Sequence, residues 1–309
     1  MLLTIFTPTY NRVHTLPRLY KSLCRQTDKN FEWLVIDDGS SDETPKLFSS
    51  WLEDNYITMR YITKENGGKP SAYNVATKEA RGDLFLCVDS DDYLTDDAVE
   101  NVLKNWEADQ RLNYEASTNY DGNGNRLIIG SVYFKGYHSL STPPKVLENS
   151  ITKYSGSTEF ATLLDFYRLH GLQGDTMLVY RTNVVRKYLF PRYEGEKFVP
   201  EAFIYDQYDN EGVLHIHNDI LYLAEYLPDG YTFSMRKINH DNPKGYEAFI
   251  RQRLLKDTSL YFKLLDTIRY VAIKFVLDDG RMFIDCQNVM LTLLSFFPGW
   301  LFYKKVYSK

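Results

Sequence analysis

The chain has 309 residues, of which 44% are hydrophobic and 25% are charged, so it can bury a sizeable core and is neither disordered nor fibrous. Its formal net charge of −5 argues against a nucleic-acid surface, because phosphate binding needs a basic footprint. Three widely spaced cysteines argue against a disulfide framework or a cysteine-rich zinc site and favour a reducing compartment. Aromatic residues make up 15% of the chain, more than a core needs, and they suit flat faces that stack on sugars or bases, or an interface.

The first hundred residues alternate short apolar runs, typical of strands, with apolar residues at helical spacing. Strands are predicted at Leu2–Thr7, Glu32–Asp37, Thr58–Ile62 and Leu84–Val88, the first of them closed by Pro8. Helices are predicted to begin at Thr15, Pro45, Pro70 and Thr95, the last ending near Glu107. Strands that alternate with helices predict a parallel, doubly wound α/β sheet, whose ligands lie beyond the C-terminal ends of the strands.

The pattern changes after about residue 110. Extended segments are predicted at Tyr114–Asn119, Leu127–Phe134, Met177–Tyr180 and Ile216–Tyr226, with a hairpin turn at Asp121–Asn125 and a helix at Thr158–Leu169. From Tyr246 onward, apolar residues recur at helical spacing. The composition shift near Asn242–Gly245 therefore predicts a catalytic domain at 1–242, with halves 1–110 and 111–242, and a helical C-terminal region at 243–309.

The sharpest motif is Asp89-Ser90-Asp91-Asp92, directly after the fourth predicted strand. Carboxylates this close repel one another unless a cation or hydrogen-bond donors compensate them. At the C-terminal end of a strand they suit a hard divalent ion that also bridges phosphate oxygens. The alternative is an acidic turn that caps the next helix, and Asp92 by itself fits that role.

Two further turns are predicted at the same edge of the sheet. Asp37-Asp38-Gly39-Ser40-Ser41 offers a carboxylate that can accept the N3–H of a uracil, and Gly39 lets the backbone approach a ligand. The alternative is an Asx turn into the next helix. Thr7-Pro8-Thr9-Tyr10-Asn11 offers backbone groups and an aromatic face for a base, although in isolation it is only a strand-ending turn.

Asn66-Gly67-Gly68-Lys69 is a Gly-rich turn before a predicted helix. It is not a P-loop, because Thr63 and Pro70 stand where that motif requires Gly and Ser or Thr. A helix N-terminus favours anions, so Lys69 is predicted either to contact a phosphate or base or to be a solvated lysine.

Two apparent metal motifs are interpreted otherwise. Asp121–Asn125 begins like a calcium loop, but Arg126 and Val132 replace the Gly and Glu that such a loop requires. His215 and His217 share one face of a predicted strand. Because no carboxylate pattern lies nearby in the sequence, we interpret them as a packed or exposed pair rather than as metal ligands.

A second acidic cluster occupies Tyr193–Glu201, where Glu194, Glu196 and Glu201 lie among aromatic residues and prolines. Carboxyl groups in such surroundings are candidates for a general base. The alternative is a solvated loop, which is expected to hold for some of the three.

These motifs, in this order, resemble the inverting nucleotide-sugar glycosyltransferases of glycosyltransferase family 2, which have the GT-A fold, a Rossmann-like doubly wound mixed sheet. The match is dense over about the first 110 residues and rests on Thr7–Asn11, Asp37–Asp42, Asn66–Lys69 with Asn74, Ala80–Asp83 and Asp89–Asp92. Further along, the acceptor half of bacterial members that build surface polysaccharides is resembled by Gly174-Asp175, Phe198–Glu201 and Tyr226–Gly230.

The resemblance implies roles for individual residues. The nucleotide-sugar-binding set is Pro8, Tyr10, Asn11, Asp38, Lys69, Asp89 and Ser90, with Asp38 binding uracil. Asp91, with Asp89 beside it, is the expected ligand of Mn²⁺ or Mg²⁺. Glu201 is the favoured general base, followed by Asp175 and Glu196. The family often has a Glu-Asp pair at this point, whereas here Ala202 follows Glu201.

The implied function is inverting transfer of a sugar from a nucleotide sugar, a UDP-sugar, to a hydroxyl of a glycan or lipid-linked acceptor in cell-surface polysaccharide synthesis. Two alternatives remain. A nucleotidyltransferase would need a Gly-rich basic loop after the first strand, where Thr9–Arg12 stands instead. A non-catalytic nucleotide-sugar or glycan-binding subunit of an assembly complex would not need a metal at the leaving group.

Both ends of the chain bear on location. Met1–Pro8 lacks the basic segment and the long apolar run of a secretory signal, so we expect a cytoplasmic protein. Val289–Tyr303 is apolar and aromatic, is too short to span a bilayer, and precedes Lys304 and Lys305. It suits either an anchor at the inner face of the cytoplasmic membrane, or a helix docked on the catalytic domain or on a second subunit of a homo-oligomer.

Overall fold

The computed structural model describes residues 2–118, 127–138, 146–224, 231–278 and 280–307. The chain forms two compact units. The first comprises Met1–Leu189 and Gln207–Glu225, and the second comprises Phe190–Asp206 and Tyr226–Lys309. The domain boundary predicted after residue 242 from the composition shift stays a prediction.

The strands belong to the first unit. They are β1 Leu3–Thr9, β2 Phe31–Asp37, β3 Met59–Thr63, β4 Leu84–Cys87, β5 Tyr93–Leu94, β6 Ile128–His138, β7 Val146–Ser150, β8 Lys153–Tyr154, β9 Phe160–Ala161, β10 Leu172–Gln173, β11 Thr176–Arg181 and β12 Val213–Ala224. Ten of them form one mixed sheet in the order β3-β2-β1-β4-β11-β6-β12-β5, with β7 paired to β6 and β9 paired to β12. The remaining two, β8 and β10, form an antiparallel pair.

The helices lie in both units. They are α1 Leu16–Cys24, α2 Thr44–Asp54, α3 Lys69–Glu79, α4 Ala98–Thr118, α5 Leu163–Arg168, α6 Thr182–Val185, α7 Ala202–Tyr208, α8 Tyr231–Asp241, α9 Pro243–Lys256, α10 Leu260–Leu277, α11 Met282–Asp285 and α12 Val289–Val306.

The strands β1 to β4 run parallel, and every residue of β1 and β2 is buried. Strands that are covered on both faces are continuous apolar runs, which is why the sequence pattern identified them. The helices α1, α2 and α3 follow β1, β2 and β3 in turn and form the crossovers that parallel neighbours require. Pro8, predicted to close the first strand, lies inside β1, which continues to Thr9.

Beyond β4 the sheet contains both parallel and antiparallel pairs. The strand β11 is antiparallel to both β4 and β6, and β6 is parallel to β12. As a result, β6 and β12 run in the same direction as β1, β2 and β4. The C-terminal ends of these five strands share one edge of the sheet, as predicted for a mixed, doubly wound sheet.

Aromatic side chains fill much of the core of the first unit. Tyr20 stacks on Trp51 with ring centres 4.2 Å apart, and Phe48 stacks on Tyr61 at 4.4 Å. Trp33 lies between these pairs, with its ring centre 5.4 Å from that of Phe48. Several aromatic side chains of this unit are fully buried, Trp33, Phe48, Tyr133 and Phe166 among them, so the aromatic content serves the core more than its composition alone suggested.

A buried carboxylate holds the start of β4 against β1 and β2. Glu32 accepts hydrogen bonds from the Thr4 hydroxyl at 2.8 Å and from the Arg81 backbone N–H at 2.6 Å. A Cβ at Gly82 would lie 2.7 Å from the carbonyl oxygen of Leu2, so only glycine fits there. The Arg81-Gly82 part of the resemblance therefore has a structural role in this chain.

The extended segment predicted at Tyr114–Asn119 is wrong, because α4 continues to Thr118. Glu115 and Ala116 are strong helix formers, and extending an existing helix costs less free energy than starting one. The predicted hairpin turn at Asp121–Asn125 lies outside the described residues.

The helix predicted at Thr158–Leu169 is shorter than expected. Phe160 and Ala161 instead pair with β12 as β9, so tertiary pairing overrides the local helical spacing. The helix α5 begins only after Thr162, whose hydroxyl accepts a hydrogen bond from the Asp165 backbone N–H at 3.1 Å.

The second unit is helical, as predicted for the C-terminal region. Its hydrophobic core contains Ile250 of α9 together with Tyr270, Val271 and Ile273 of α10. Among the described residues, no helix combines the length and the apolar character needed to cross a membrane.

The last helix, α12, packs with small residues inward and large ones outward. Thr292, Ser295 and Gly299 are its buried residues, and a Cβ at Gly299 would lie 2.5 Å from Val271 on α10. Its exposed apolar residues are Val289, Met290, Leu293, Leu294, Phe296, Phe297, Trp300 and Leu301. This is the reverse of an ordinary surface helix, which buries its large apolar side chains.

Candidate active site

The candidate site lies where β1, β2 and β4 end. Thr9 and Asp37, the last residues of β1 and β2, are paired in the parallel register. The strand β4 lies on the other side of β1 and ends at Cys87, just before the acidic motif. The sheet therefore places all three predicted turns at one edge.

Asp38 is buried, and its carboxylate accepts four hydrogen bonds from the segment after β3. The Oδ1 atom accepts from Lys64 Nζ at 2.5 Å and from the Gly67 N–H at 3.0 Å. The Oδ2 atom accepts from Asn66 Nδ2 at 3.1 Å and from the Gly68 N–H at 2.7 Å. Because four donors match the capacity of an ionised carboxylate, Asp38 holds the Gly-rich turn in place. Its contact with a base stays a prediction.

Glycine is required at Gly39, where the turns after β2 and β3 approach each other. The φ angle of Gly39 is +83°, and a Cβ there would lie 3.2 Å from both the backbone nitrogen of Asn66 and the carbonyl oxygen of Lys64. A larger residue would therefore push apart the two turns that hold the Asp38 carboxylate.

Asn11 ties the turn after β1 to the turn after β2. Its side-chain oxygen accepts from the backbone N–H of Ser41 at 2.8 Å and of Asp42 at 3.3 Å, and its own N–H donates to the Ser40 hydroxyl at 2.9 Å. Tyr10 beside it is 49% exposed, whereas Pro8 is buried inside β1. Of the residues expected around a base, Tyr10 is thus the one that presents a ring to solvent.

An ion pair joins two predicted site residues. Lys69, at the start of α3, places Nζ 2.5 Å from Asp89 Oδ1, and their side chains are 14% and 36% exposed. Burial raises the pKa of Asp89, but the ammonium groups of Lys69 and Lys135 outweigh it and hold the pKa below its usual range. Asp89 is therefore ionised at neutral pH, and Lys69 is not a solvated lysine.

Tyr222, on β12, bridges the two ends of the acidic motif. Its hydroxyl accepts from the Asp89 N–H at 3.1 Å and donates to Asp92 Oδ2 at 2.7 Å. Burial and the negative charge of Asp92 raise the pKa of Tyr222 well above its ordinary value, so it remains a donor. Burial raises the pKa of Asp92 to about 7, against the opposing charge of Lys135, whose Nζ lies 4.0 Å from the centre of the Tyr222 ring.

The backbone of Asp91 is held by a hydrogen bond, and the surroundings of its carboxyl group disfavour the charged form. Its carbonyl oxygen accepts a hydrogen bond from the guanidinium of Arg18, which lies 5.0 Å from the centre of the Tyr93 ring. Burial and the charge of Asp89 raise the pKa of Asp91, and Ser90 between them is buried. This oxygen-only set of carboxylates has the donor chemistry that a hard divalent cation prefers.

The three base candidates have different surroundings. Asp175 is exposed in the turn before β11 of the first unit. In the second unit, Glu196 accepts two backbone N–H groups of the first turn of α9, each at 2.9 Å, so it acts as a helix cap. Glu201 is half-buried and accepts a hydrogen bond from the Tyr205 hydroxyl at 3.2 Å. A catalytic role for any of the three stays a prediction.

Sequence analysis missed Lys64, Lys135 and Tyr222. Lys64 directly follows β3 and precedes the Gly-rich turn, so its place at the end of a strand was a usable signal. Lys135 and Tyr222 reach the edge from β6 and β12, and Tyr222 is 133 residues from Asp89 along the chain. No local motif indicates such a partner.

Comparisons with known proteins place these observations in a family. A model described as glycosyl transferase family 2 matches residues 4–188. The chondroitin synthase of Pasteurella multocida is 36% identical over 132 residues, which cover 43% of this chain and 14% of that protein. Glycosyltransferase GlyA of Streptococcus pneumoniae is 31% identical over 144 residues, which cover 45% of this chain and 20% of that protein. The chain thus matches a minor part of the length of these relatives.

Solved structures give the fold. The S. aureus TarS 1-349 structure in complex with UDP-GlcNAc aligns with a TM-score of 0.58 and 18% identity, covering 99% of this chain and 81% of that one. The mannosyltransferase PcManGT from Pyrobaculum calidifontis, in complex with GDP-Man and Mn²⁺, aligns with a TM-score of 0.53 and 15% identity, covering 99% and 82%. The predicted GT-A fold is therefore confirmed. The family model spans more than half of the chain and agrees with this fold, so the chain belongs to glycosyl transferase family 2.

Proposed function

We propose that this glycosyltransferase moves a sugar from a nucleotide sugar, a UDP-sugar, to a hydroxyl of a glycan or lipid-linked acceptor in cell-surface polysaccharide synthesis, with inversion at the sugar carbon. The observation that carries the proposal is the Lys69–Asp89 ion pair beside Asp91 and Asp92 at the C-terminal edge of the sheet. The TarS and PcManGT structures hold UDP-GlcNAc and GDP-Man, and the polysaccharide synthases among the relatives supply the proposed context.

Asp89 and Asp91 are the proposed ligands of a divalent cation, Mn²⁺ or Mg²⁺. When bound, such a cation neutralises the diphosphate that leaves the sugar. The raised pKa of Asp91 reflects burial and negative charge from Asp89, which supports a compensating cation at this place. Lys69, at the N-terminal turn of α3, is proposed to contact the donor phosphates from the same edge.

Base recognition is proposed at Tyr10 and Asp38. The exposed Tyr10 ring provides a face on which a base can stack. Both oxygens of Asp38 already accept two hydrogen bonds each, so a uracil N3–H must replace one of the four donors. Lys64 is the donor with the longest flexible stem, and we therefore assign the exchange to it.

The proposed reaction is a single displacement. Glu201 takes the proton of the acceptor hydroxyl, whose oxygen attacks C1 of the sugar while the bond from C1 to the diphosphate oxygen breaks. No covalent intermediate forms. A Glu201→Gln protein is expected to lose turnover and keep nucleotide binding, with Glu194→Gln, an exposed residue of the same segment, as the matched control. Full turnover by Glu201→Gln would transfer the role to Asp175.

The proposal is tested by calorimetric binding of UDP, GDP, CDP and dTDP, each with Mn²⁺ and with EDTA. We expect binding of UDP that depends on Mn²⁺ and that is lost in Asp91→Asn but kept in Asp54→Asn, a control on the exposed end of α2. Preference for another nucleotide would overturn the choice of donor and keep the enzyme class. Binding without release of UDP from any UDP-sugar and acceptor would favour the non-catalytic subunit.

The helix α12 supports a peripheral membrane contact in this proposal. Its outward face is apolar, and Lys304 and Lys305 at its end suit anionic headgroups. We expect the protein to float with vesicles that contain phosphatidylglycerol, and the double change Leu294→Glu and Phe297→Glu to abolish flotation. Leu255→Glu, on the exposed side of α9, is the control. If the double change instead dissociated a dimer and left flotation unchanged, this face of α12 would be a contact with a second subunit.

A further inference from the structure

Three metal-ligating side chains converge in the first unit and take no part in the proposed reaction. They are Asp109 of α4 and the two histidines of β12, His215 and His217. His215 Nδ1 lies 2.6 Å from Asp109 Oδ1, and His217 Nε2 lies 3.9 Å from Asp109 Oδ2. One ligand atom from each residue lies within 4.8 Å of the others. The carboxylate that sequence analysis did not find near the histidines is thus supplied 106 residues away along the chain.

The cluster is enclosed and its rings are held in place. The side chain of Asp109 is fully buried, and those of His215 and His217 are 19% and 13% exposed. Phe160 stacks on His215 with ring centres 4.3 Å apart, and Tyr133 stacks on His217 at 5.0 Å. The two imidazole centres lie 4.1 Å apart. Stacking on both outer faces restricts rotation of the imidazoles and keeps their nitrogens directed toward Asp109.

One buried nitrogen of the cluster has no hydrogen-bond partner among the described residues. His217 Nε2 is inaccessible to solvent, and 3.9 Å is too long for a hydrogen bond to Asp109 Oδ2. Among the described residues, that oxygen accepts a long bond, 3.3 Å, from the Ser131 hydroxyl. Buried polar atoms are nearly always paired, so an orphaned imidazole nitrogen facing a carboxylate oxygen points to a missing positive group between them.

The strand geometry separates this cluster from the acidic motif. His215 pairs with Ser131 on β6, whereas the residue of β6 that faces the acidic motif is Lys135. Four residues of strand span about 13 Å. The register of β12 shifts between Ile216 and Ile220, so His217 stands at the start of a bulge. Bulges redirect side chains and commonly occur beside functional sites.

The donor set selects the kind of ion. Two imidazoles with one carboxylate suit borderline transition metals, above all Zn²⁺, whereas Mg²⁺, Ca²⁺ and Mn²⁺ prefer oxygen ligands. We propose that Asp109, His215 and His217 form a Zn²⁺ site distinct from the Asp89–Asp91 motif. Three protein ligands leave a fourth position for water, and the ion joins α4 to β12.

The test uses the full chain stripped with EDTA and then titrated with Zn²⁺, and with Co²⁺ as a coloured substitute. We expect one equivalent of Co²⁺ to give the visible absorption of a tetrahedral nitrogen-containing site, and Zn²⁺ to displace it. Asp91→Asn, which alters only the acidic motif, keeps this spectrum. His215→Gln and His217→Gln are expected to weaken Zn²⁺ binding by more than about a hundredfold, beyond the usual cost of losing an outer-sphere partner.

A second measurement covers variants that fail to fold. One equivalent of Zn²⁺ should shift the imidazole NMR resonances of two histidines in the Asp91→Asn protein. Failure of stoichiometric Zn²⁺ to shift them, or a Co²⁺ spectrum that persists in folded His217→Gln, would overturn the proposal and make the cluster a metal-free hydrogen-bonded network. Because the readouts are spectra rather than sugar transfer, failure here leaves the proposed function unaffected.

Discussion

Asp38 follows β2 and Asp91 follows β4, and the two carboxyl groups have different surroundings at the same edge of the sheet. The carboxylate of Asp38 accepts four hydrogen bonds, two of them from backbone N–H groups of the Gly-rich turn. The carboxyl group of Asp91 instead has its pKa raised by burial and by the charge of Asp89. Acidic turns that look equivalent in a sequence can therefore differ in structure: the carboxylate of Asp38 is surrounded by hydrogen-bond donors, whereas the surroundings of Asp91 disfavour its charged form.

The largest expected effect is on turnover. Asp91→Asn should lower kcat for sugar transfer on the order of a thousandfold, because it removes a proposed metal ligand worth several kcal/mol in the transition state. Its free energy of unfolding at pH 7 should stay equal or rise, since the change removes repulsion from Asp89. Steady-state kinetics and urea unfolding measure the two quantities, with Asp54→Asn as the control. If Asp91→Asn also lowered the free energy of unfolding, Asp91 would stabilise the fold as Asp38 does, and the two turns would not differ in this respect.

Asp38→Asn should act mainly on stability. The amide group puts a donor where Lys64, Asn66 and two backbone N–H groups all donate, so we expect a loss of about 2–3 kcal/mol in the free energy of unfolding. Urea unfolding, compared with Asp54→Asn, measures it. If the unfolding free energy is unchanged while UDP affinity falls, the four hydrogen bonds of Asp38 contribute little to stability and its role is recognition of the base alone.

Tyr222→Phe tests how much the hydrogen bonds of the acidic motif contribute to stability. The hydroxyl that it removes is shared by the Asp89 N–H and the Asp92 carboxyl group, so we expect a loss of about 1–2 kcal/mol in the free energy of unfolding. The matched control is Tyr56→Phe, at a position that is 76% exposed. Equal stabilities of the two variants would mean that the bridge contributes nothing.

The smallest expected effect is a pH dependence of the free energy of unfolding, arising from Asp42 in the turn after β2. Burial raises the pKa of Asp42, but hydrogen bonds from Thr44 and Val13 outweigh it and hold the pKa below its usual range. A lowered folded-state pKa stabilises the protein above the unfolded pKa of about 3.9, and this contribution is lost as the pH falls through the folded value. Asp42→Asn should therefore lose less stability than the wild type on acidification from about pH 5 to pH 3. The free energies of unfolding of the wild type, Asp42→Asn and the control Asp54→Asn, measured at both pH values, test this expectation.

The parallel half of the fold could be predicted because β1, β2 and most of β4 are buried and its helices begin at clear signals, such as Pro17 and Pro70. The pairing of Phe160 with β12 could not, because a two-residue strand depends on a partner distant along the chain. The helical C-terminal region was predictable from spacing alone, whereas the outward turn of the large side chains of α12 required its contact with α10.

The candidate site, like the fold, could be predicted only in part. Side chains at strand ends could be predicted, because topology gathers the C-terminal ends of parallel strands. The partners of Asp38 could not, since two of them are backbone N–H groups whose direction depends on the turn at Gly67 and Gly68. The cap formed by Glu196 on α9 and the contact of Asp109 with the histidines likewise depend on tertiary structure.

The bridge made by Tyr222 also bears on the order in which the protein is assembled during synthesis. The strands β1 to β4 leave the ribosome more than a hundred residues before β12, so the acidic motif exists for a time without the hydroxyl that joins Asp89 to Asp92. Contacts this distant form late, because closing a long loop costs entropy before the contact repays it. The acidic motif thus acquires its finished electrostatic environment only when β12 has joined the sheet, and a chain that stops before β12 would carry the motif without the hydroxyl of Tyr222.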